Sequence, residues 1–307
     1  MEALPLLFFL SVLVLLLLGF PVAFTLGGVS VVFGFIIFGS QFFYLLPLRI
    51  WGIMSNYILL AVPLFIFMGV MLEKSGIAED LLETMALLFG KRKGGLAISV
   101  LMVGAMLGAS TGIVGATVVT MGVLSLPVML KRGYDSKSAS GIIMASGTLG
   151  QIIPPSIVLV LLGSVLNVPV GDLFIAAVIP GILLVFLFFV WIVIQTIIRP
   201  KALPAMPSDE LKKFKGKVKL KRILNAFILP FVLVMAVLGS IFAGIASPTE
   251  AAAIGALGAT VLTMFKRSFN LPTLKAVMLK TTSITSMVFM ILVGAAAFGL
   301  VFRGLHG

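Results

Sequence analysis

Two clusters of small and polar residues stand where greasy sequence should run. Leu107-Gly108-Ala109-Ser110-Thr111-Gly112 interrupts an apolar stretch from Gly94 to Leu130. Gly147-Thr148-Leu149-Gly150-Gln151-Ile152-Ile153-Pro154-Pro155-Ser156 interrupts the next one. Their chemistry is that of oxygen. Ser110 and Thr111 offer hydroxyls and can cap a half-helix beginning near Ile113. Gly108 and Gly112 let the chain turn tightly and expose its carbonyls. Pro154 and Pro155 lack N–H groups, so carbonyls one turn upstream, near Gly150 and Gln151, lose their helical partners. Hard oxygen ligands of this kind suit an alkali cation. The candidate contacts for a polar solute are Ser110, Gly112, Thr148, Gln151 and Ser156.

The elements that must hold these clusters are membrane spans. Of 307 residues, 61% are hydrophobic and 10% charged, with a mean hydropathy of +1.26. Repeated apolar runs of about 18 residues or more are the mark of transmembrane helices. Irregular backbone at membrane depth is tolerated only inside protein or along a cavity. Discontinuous helices of this sort line the midplane sites of secondary transporters, where half-helix N-termini face anions and freed carbonyls face Na+.

Charge sets the topology. The net charge of +12 lies in loops between apolar segments, the positive-inside pattern, which argues against nucleic-acid binding. Lys91-Arg92-Lys93 and Lys131-Arg132 fence the first broken stretch at both ends. Both ends therefore lie on the cytoplasmic side. Its 37 residues suit a re-entrant hairpin, with two short complete spans as the alternative. The segment 199–222 carries nine basic residues and is cytoplasmic. Counting back places the N-terminus outside. There is no cysteine, and the single histidine is His306. Thiol chemistry, a His-based zinc site and a catalytic triad are excluded, so the chain is not read as an enzyme.

The expected organisation follows. Residues 1–74 form N-terminal spans, broken at Gly19-Phe20-Pro21, with an interfacial stretch from Gln41 to Tyr57. Residues 75–93 form an amphipathic helix at the membrane surface and a basic loop. Residues 94–130 form the hairpin. Residues 131–198 form a discontinuous helix and a returning span, and 199–222 a basic loop attracted to anionic headgroups. Residues 223–307 begin a second repeat, with a last span starting near Thr281. Glu250, in Ser247-Pro248-Thr249-Glu250, reads as a helix start with its acid in the first turn. Asp172 reads as a solvated loop residue.

Several segments carry a resemblance: GFPVAF at 19–24, VPLFIFMG at 62–69, GASTGIVGATVVTMG at 108–122, LPVMLKRGYD at 126–135, GTLGQIIPPSI at 147–157 and SPTEAAAIGA at 247–256. Together they resemble the large membrane subunit of the tripartite ATP-independent periplasmic (TRAP) transporters. The resemblance implies an all-α, multi-span elevator-type permease with inverted repeats. It implies a sodium-driven importer of organic acids in a bacterial inner membrane. It also implies a small four-helix membrane subunit and a periplasmic substrate-binding protein as partners. A sodium site is implied at Thr111 with backbone oxygens near Gly150, Ile153 and Pro155. Many members carry a second hydroxyl two residues after Thr111; here that residue is Ile113.

GFPVAFTLGG (19–28) and ASPTEAAAIG (246–255) are the faint repeat partners, offset by about 227 residues. A second hairpin tip is then expected near about 337 and a second proline break near about 382, beyond Gly307. The expectation is a truncated chain holding one half of the transport site and inactive alone. An ion channel is the competing class, since broken helices also line pores. A non-transporting membrane scaffold is the third.

Overall fold

The computed structural model describes residues 3–112, 114–206 and 227–305. Thirteen α-helices occur among the described residues, and no strand does. Four segments there are long and apolar enough to cross a membrane: Tyr57–Lys74, Val170–Ile198, Pro248–Phe265 and Leu271–Gly304. The chain divides into two compact units, one made of residues up to Tyr57 with those from Thr282 onward, the other of Ile58–Thr281.

The first unit holds α1 (Ala3–Leu17), α2 (Val22–Phe38), α3 (Gln41–Met54) and the C-terminal part of a long helix, α13 (Leu271–Gly304). The break expected at Gly19-Phe20-Pro21 is the α1–α2 turn. Gly19 takes φ +88° there, and its N–H donates to the Leu16 carbonyl at 3.0 Å. Phe8, fully buried, stacks on Phe298 at 4.9 Å and meets Phe33 at 5.2 Å. α13 approaches α2 through small residues, as membrane helices do: a Cβ on Gly294 would lie 2.7 Å from the Ala23 carbonyl. The stretch read as interfacial is α3, with Tyr44 and Trp51 exposed.

The second unit carries the broken segments. α4 (Ala61–Lys74) is buried along most of its length and packs on α12 (Pro248–Phe265). The seam is lined by Gly and Ala; a Cβ on Gly255 would sit 2.6 Å from Met68 Sδ. α4 belongs with the hairpin unit, whereas the sequence reading grouped it with the N-terminal spans. α5 (Ile77–Phe89) has the expected amphipathic pattern, but its apolar side is covered by protein. Leu81, Leu82 and Met85 pack with Leu96, Ala97 and Val100 of α6 (Gly95–Thr111). Gly94, at φ +74°, is the turn that lays α6 back on α5. The acids Glu79, Asp80 and Glu83 stay exposed, and Asp80 pairs with Lys266 beyond the end of α12.

α13 corrects a second expectation. Its helix begins at Leu271, ten residues before the span expected near Thr281. Asn270 Oδ1 accepts the Thr273 N–H at 2.7 Å and caps that start, and Pro272 falls in the first turn, where its missing N–H costs nothing. Of the basic loop expected at 199–222, residues 207–222 lie outside the described residues. The described part, up to Met206, is a strap under the hairpin. Leu203 O accepts the Gly94 N–H at 3.0 Å, Ala202 O accepts the Asp135 N–H at 3.0 Å, and the Met206 N–H donates to Gly90 O at 2.9 Å. Both feet of the hairpin are thus tied to one segment of chain.

Candidate functional site at the hairpin tip and proline break

The hairpin consists of α6 and α7 (Val114–Lys131). At 1.5 Å per residue they run about 26 and about 27 Å, short of a bilayer core of about 30 Å. The chain turns at Gly112, whose φ of +61° is the left-handed conformation that glycine adopts freely. Its N–H donates to Gly108 O at 2.8 Å and closes α6. The backbone therefore places Ser110 and Thr111 in the last turn of α6, not ahead of α7 as caps.

The break lies between α8 (Ser136–Thr148) and α9 (Ile157–Leu166). α8 tightens into a 3-10 turn at Leu149–Gln151. The Ile152 and Ile153 N–H groups both donate to the Leu149 carbonyl at 3.0 Å. Pro154 and Pro155, joined by a cis bond, supply no N–H. Ser156 resolves the break. Its hydroxyl donates to the Gln151 carbonyl at 2.7 Å and accepts the Leu159 N–H at 3.4 Å as the cap of α9. Ser156 is fully buried.

Glycines bring the two breaks into contact. A Cβ on Gly150 would lie 2.3 Å from Gly108 Cα and 2.4 Å from Gly108 O. A Cβ on Gly112 would lie 3.0 Å from the Ile157 nitrogen. Further down the hairpin, Gly104 abuts Ser146 and Gly147 abuts Val118, each leaving about 2.5 Å to a would-be Cβ. The hairpin tip thus ends on the first turn of α9, inside protein. At this locus α6 and the 3-10 turn end, while α7 and α9 begin. Helix C-termini present carbonyls and N-termini present N–H groups.

Of the solute contacts proposed from sequence, Gly112 and Ser156 are buried at the junction, while Thr148 and Gln151 are exposed. Thr148 Oγ1 donates to Ala145 O at 2.8 Å. Of the proposed sodium ligands, Gly150 and Pro155 are buried and Ile153 half-buried. Thr111 lies in the turn that Gly112 closes, beside Ser110. Among the described residues no three His, Cys, Asp or Glu side chains converge on a metal-sized site. The polar groups that the structure brings to the junction are backbone carbonyls and N–H groups, with the Ser156 hydroxyl set between Gln151 O and the Leu159 N–H.

Glu250 is a cap, as read: Ser247 Oγ accepts its N–H, and its carboxylate accepts the Ser247 N–H at 2.7 Å. Asp172 is exposed in the first turn of α10 (Val170–Ile198). Asp135 caps α8 by accepting the Ser138 N–H at 3.0 Å and the Ser138 hydroxyl at 3.1 Å. These bonds, the backbone one first, hold its carboxyl below the usual aspartate range. One polar cluster escaped the sequence reading. Glu73, at the end of α4, meets Thr120 of α7 and Lys280 of α13; the available signal was a carboxylate closing an apolar run.

The apolar helices and the broken-helix junction define an all-α integral membrane protein with irregular backbone held inside protein. Residues 9–306 match the family described as "Tripartite ATP-independent periplasmic transporter, DctM component". The chain belongs to that family. It is 33% identical over 254 residues to the C4-dicarboxylate TRAP transporter large permease protein DctM of Pseudomonas aeruginosa, covering 82% of this chain and 58% of that protein. It is 32% identical over 287 residues to the ectoine TRAP transporter large permease protein TeaC of Halomonas elongata, covering 92% and 65%. It is 29% identical over 287 residues to the sialic acid TRAP transporter large permease protein SiaM of Vibrio cholerae, covering 93% and 65%. The chain therefore spans 58% to 65% of the length of these three relatives, which are permeases and not enzymes.

Proposed function

We propose that this chain forms the hairpin-bearing part of the large permease subunit of a sodium-coupled importer of organic acids. The observation that carries the reading is the junction: the Gly108–Gly112 tip meets the Gly150–Ile157 break backbone to backbone. Freed carbonyls and the Thr111 hydroxyl supply a Na+ site with Gly150, Ile153 and Pro155. The N-termini of α7 and α9 supply partial positive charge for a carboxylate, with Ser110, Gly112, Thr148, Gln151 and Ser156 as solute contacts. The relatives are named for C4-dicarboxylate, ectoine and sialic acid, so the family fixes no single cargo.

The partners are a small four-helix membrane subunit and a periplasmic binding protein that delivers the solute. The protein sits in the bacterial inner membrane with its N-terminus in the periplasm. The strap supports that orientation, because it gathers the basic feet of the hairpin on one side. The experiment is uptake into proteoliposomes by the whole permease with both partners. Saturable uptake that requires a sodium gradient supports the reading. Non-saturating flux without the binding protein indicates a channel instead.

A further inference from the structure

Glu73 is the one acidic side chain among the described residues that is not exposed. Its side chain is 13% accessible. A carboxylate next to an apolar helix is costly unless paired, and it has two partners from distant helices. Lys280 Nζ, on α13, lies 3.1 Å from Oε1 and 3.2 Å from Oε2. Thr120 Oγ1, on α7, donates to Oε1 at 3.2 Å. Such a pair is weak evidence of stabilisation, because desolvation offsets most of the Coulomb gain. Its location suggests another use. Thr120 is six residues beyond Val114, about 9 Å along α7 from the tip at 1.5 Å per residue. Apolar contacts also hold the returning helix, with Gly147 on Val118 and Met121 and Met129 in the core.

We propose that Glu73 is a positioning residue for the hairpin: through Thr120 it fixes how α7 presents the Gly112 tip to the break, while Lys280 compensates its charge. The functional meaning of that tip rests on the transport reading; the positioning itself does not. α4 is the anchor, being packed on α12 by its small-residue seam. Thr120→Val removes the donor and keeps the shape. Thr120→Ser keeps the donor. Glu73→Leu removes the acceptor and the charge.

The test is amide hydrogen exchange of the whole permease in bilayer nanodiscs, followed in peptides covering 108–116. Thr120→Val is expected to speed exchange there by about tenfold, the scale of a lost hydrogen bond to a charged group. Peptides from α12 should not change. Thr120→Ser should match the parent. Thr120→Val with Glu73→Leu should exchange no faster than Glu73→Leu alone, since both cut one path. Unchanged exchange in Thr120→Val, or Thr120→Ser behaving like Thr120→Val, overturns the proposal. A uniform rise across the chain in Thr120→Val overturns it too, because that is general destabilisation. Exchange needs no transport. Loss of sodium-driven uptake in the parent with the exchange pattern intact refutes the transport reading alone.

Discussion

Gly108 and Gly150 touch through their backbones, with 2.3 Å between a would-be Gly150 Cβ and Gly108 Cα. No side chain fits between them. This contact, not a charged group, seats the end of α6 on the 3-10 turn that opens the proline break. Gly150→Ala must push the two apart, and overpacking of this kind costs about 1 to 3 kcal/mol. The expected result is a lower thermal midpoint and loss of most sodium-driven uptake. Gly141→Ala, where nothing lies within 4 Å of the new Cβ, is the control and should keep uptake with a midpoint no lower than the parent's.

Ser156 holds the break together by answering the Gln151 carbonyl and capping α9. Ser156→Ala leaves that carbonyl without its partner and strips the cap. The expected loss is about 1 to 2 kcal/mol of stability. Thermal unfolding of the purified permease measures it. An unchanged midpoint would show that the hydroxyl is dispensable to the break.

Asp135 predicts an acid-side dependence. Its folded carboxyl is held below the ordinary aspartate value of about 3.9 by the Ser138 bonds. A group depressed on folding stabilises the protein above its unfolded value and stops doing so as pH falls through the folded one. The thermal midpoint should therefore fall as pH drops below about 4, with part of that fall due to Asp135. Asp135→Asn keeps a capping oxygen and removes the titration, so its profile should be flatter in that window. Identical profiles for parent and variant would contradict the assignment.

Glu250 predicts a null effect on transport. Its carboxylate is engaged with the Ser247 N–H and hydroxyl. Glutamine serves equally in a capping box. Glu250→Gln is expected to keep uptake within about twofold, while Ser247→Ala lowers stability by about 1 kcal/mol. Uptake assays and thermal unfolding of the two variants separate cap from site. Abolished uptake in Glu250→Gln would place the carboxylate in the transport path.

Local chemistry was legible in the sequence where a residue type dictates backbone. Pro154-Pro155 announced the break because proline cannot donate. Gly112 announced the turn, though Ser110 and Thr111, read as the start of the following half-helix, belong by their backbone to the last turn of α6. Ser247 and Glu250 announced their own cap by spacing. Other features depend on partners distant in sequence. Gly108 was read as a flexible turn residue because nothing in the sequence shows Gly150 against it. α5 carried a sound amphipathic pattern, but the same pattern suits a lipid surface and the face of α6. The early start of α13 was hidden by Lys275 and Lys280, which interrupt the apolar run although Asn270 caps the helix. Glu73, Thr120 and Lys280 lie 47 and 207 residues apart, a distance across which no spacing rule reads.

The central claim is that the tip and the break form one sodium-linked site. The most direct measurement is the sodium dependence of uptake by the whole permease with its partners, comparing the parent with Thr111→Val. The predicted result is saturable, sodium-dependent uptake in the parent, with half-saturation raised by about tenfold in the variant, the scale of one lost oxygen ligand to a charged group. Uptake indifferent to sodium in the parent, or an identical sodium dependence in the variant, would contradict it.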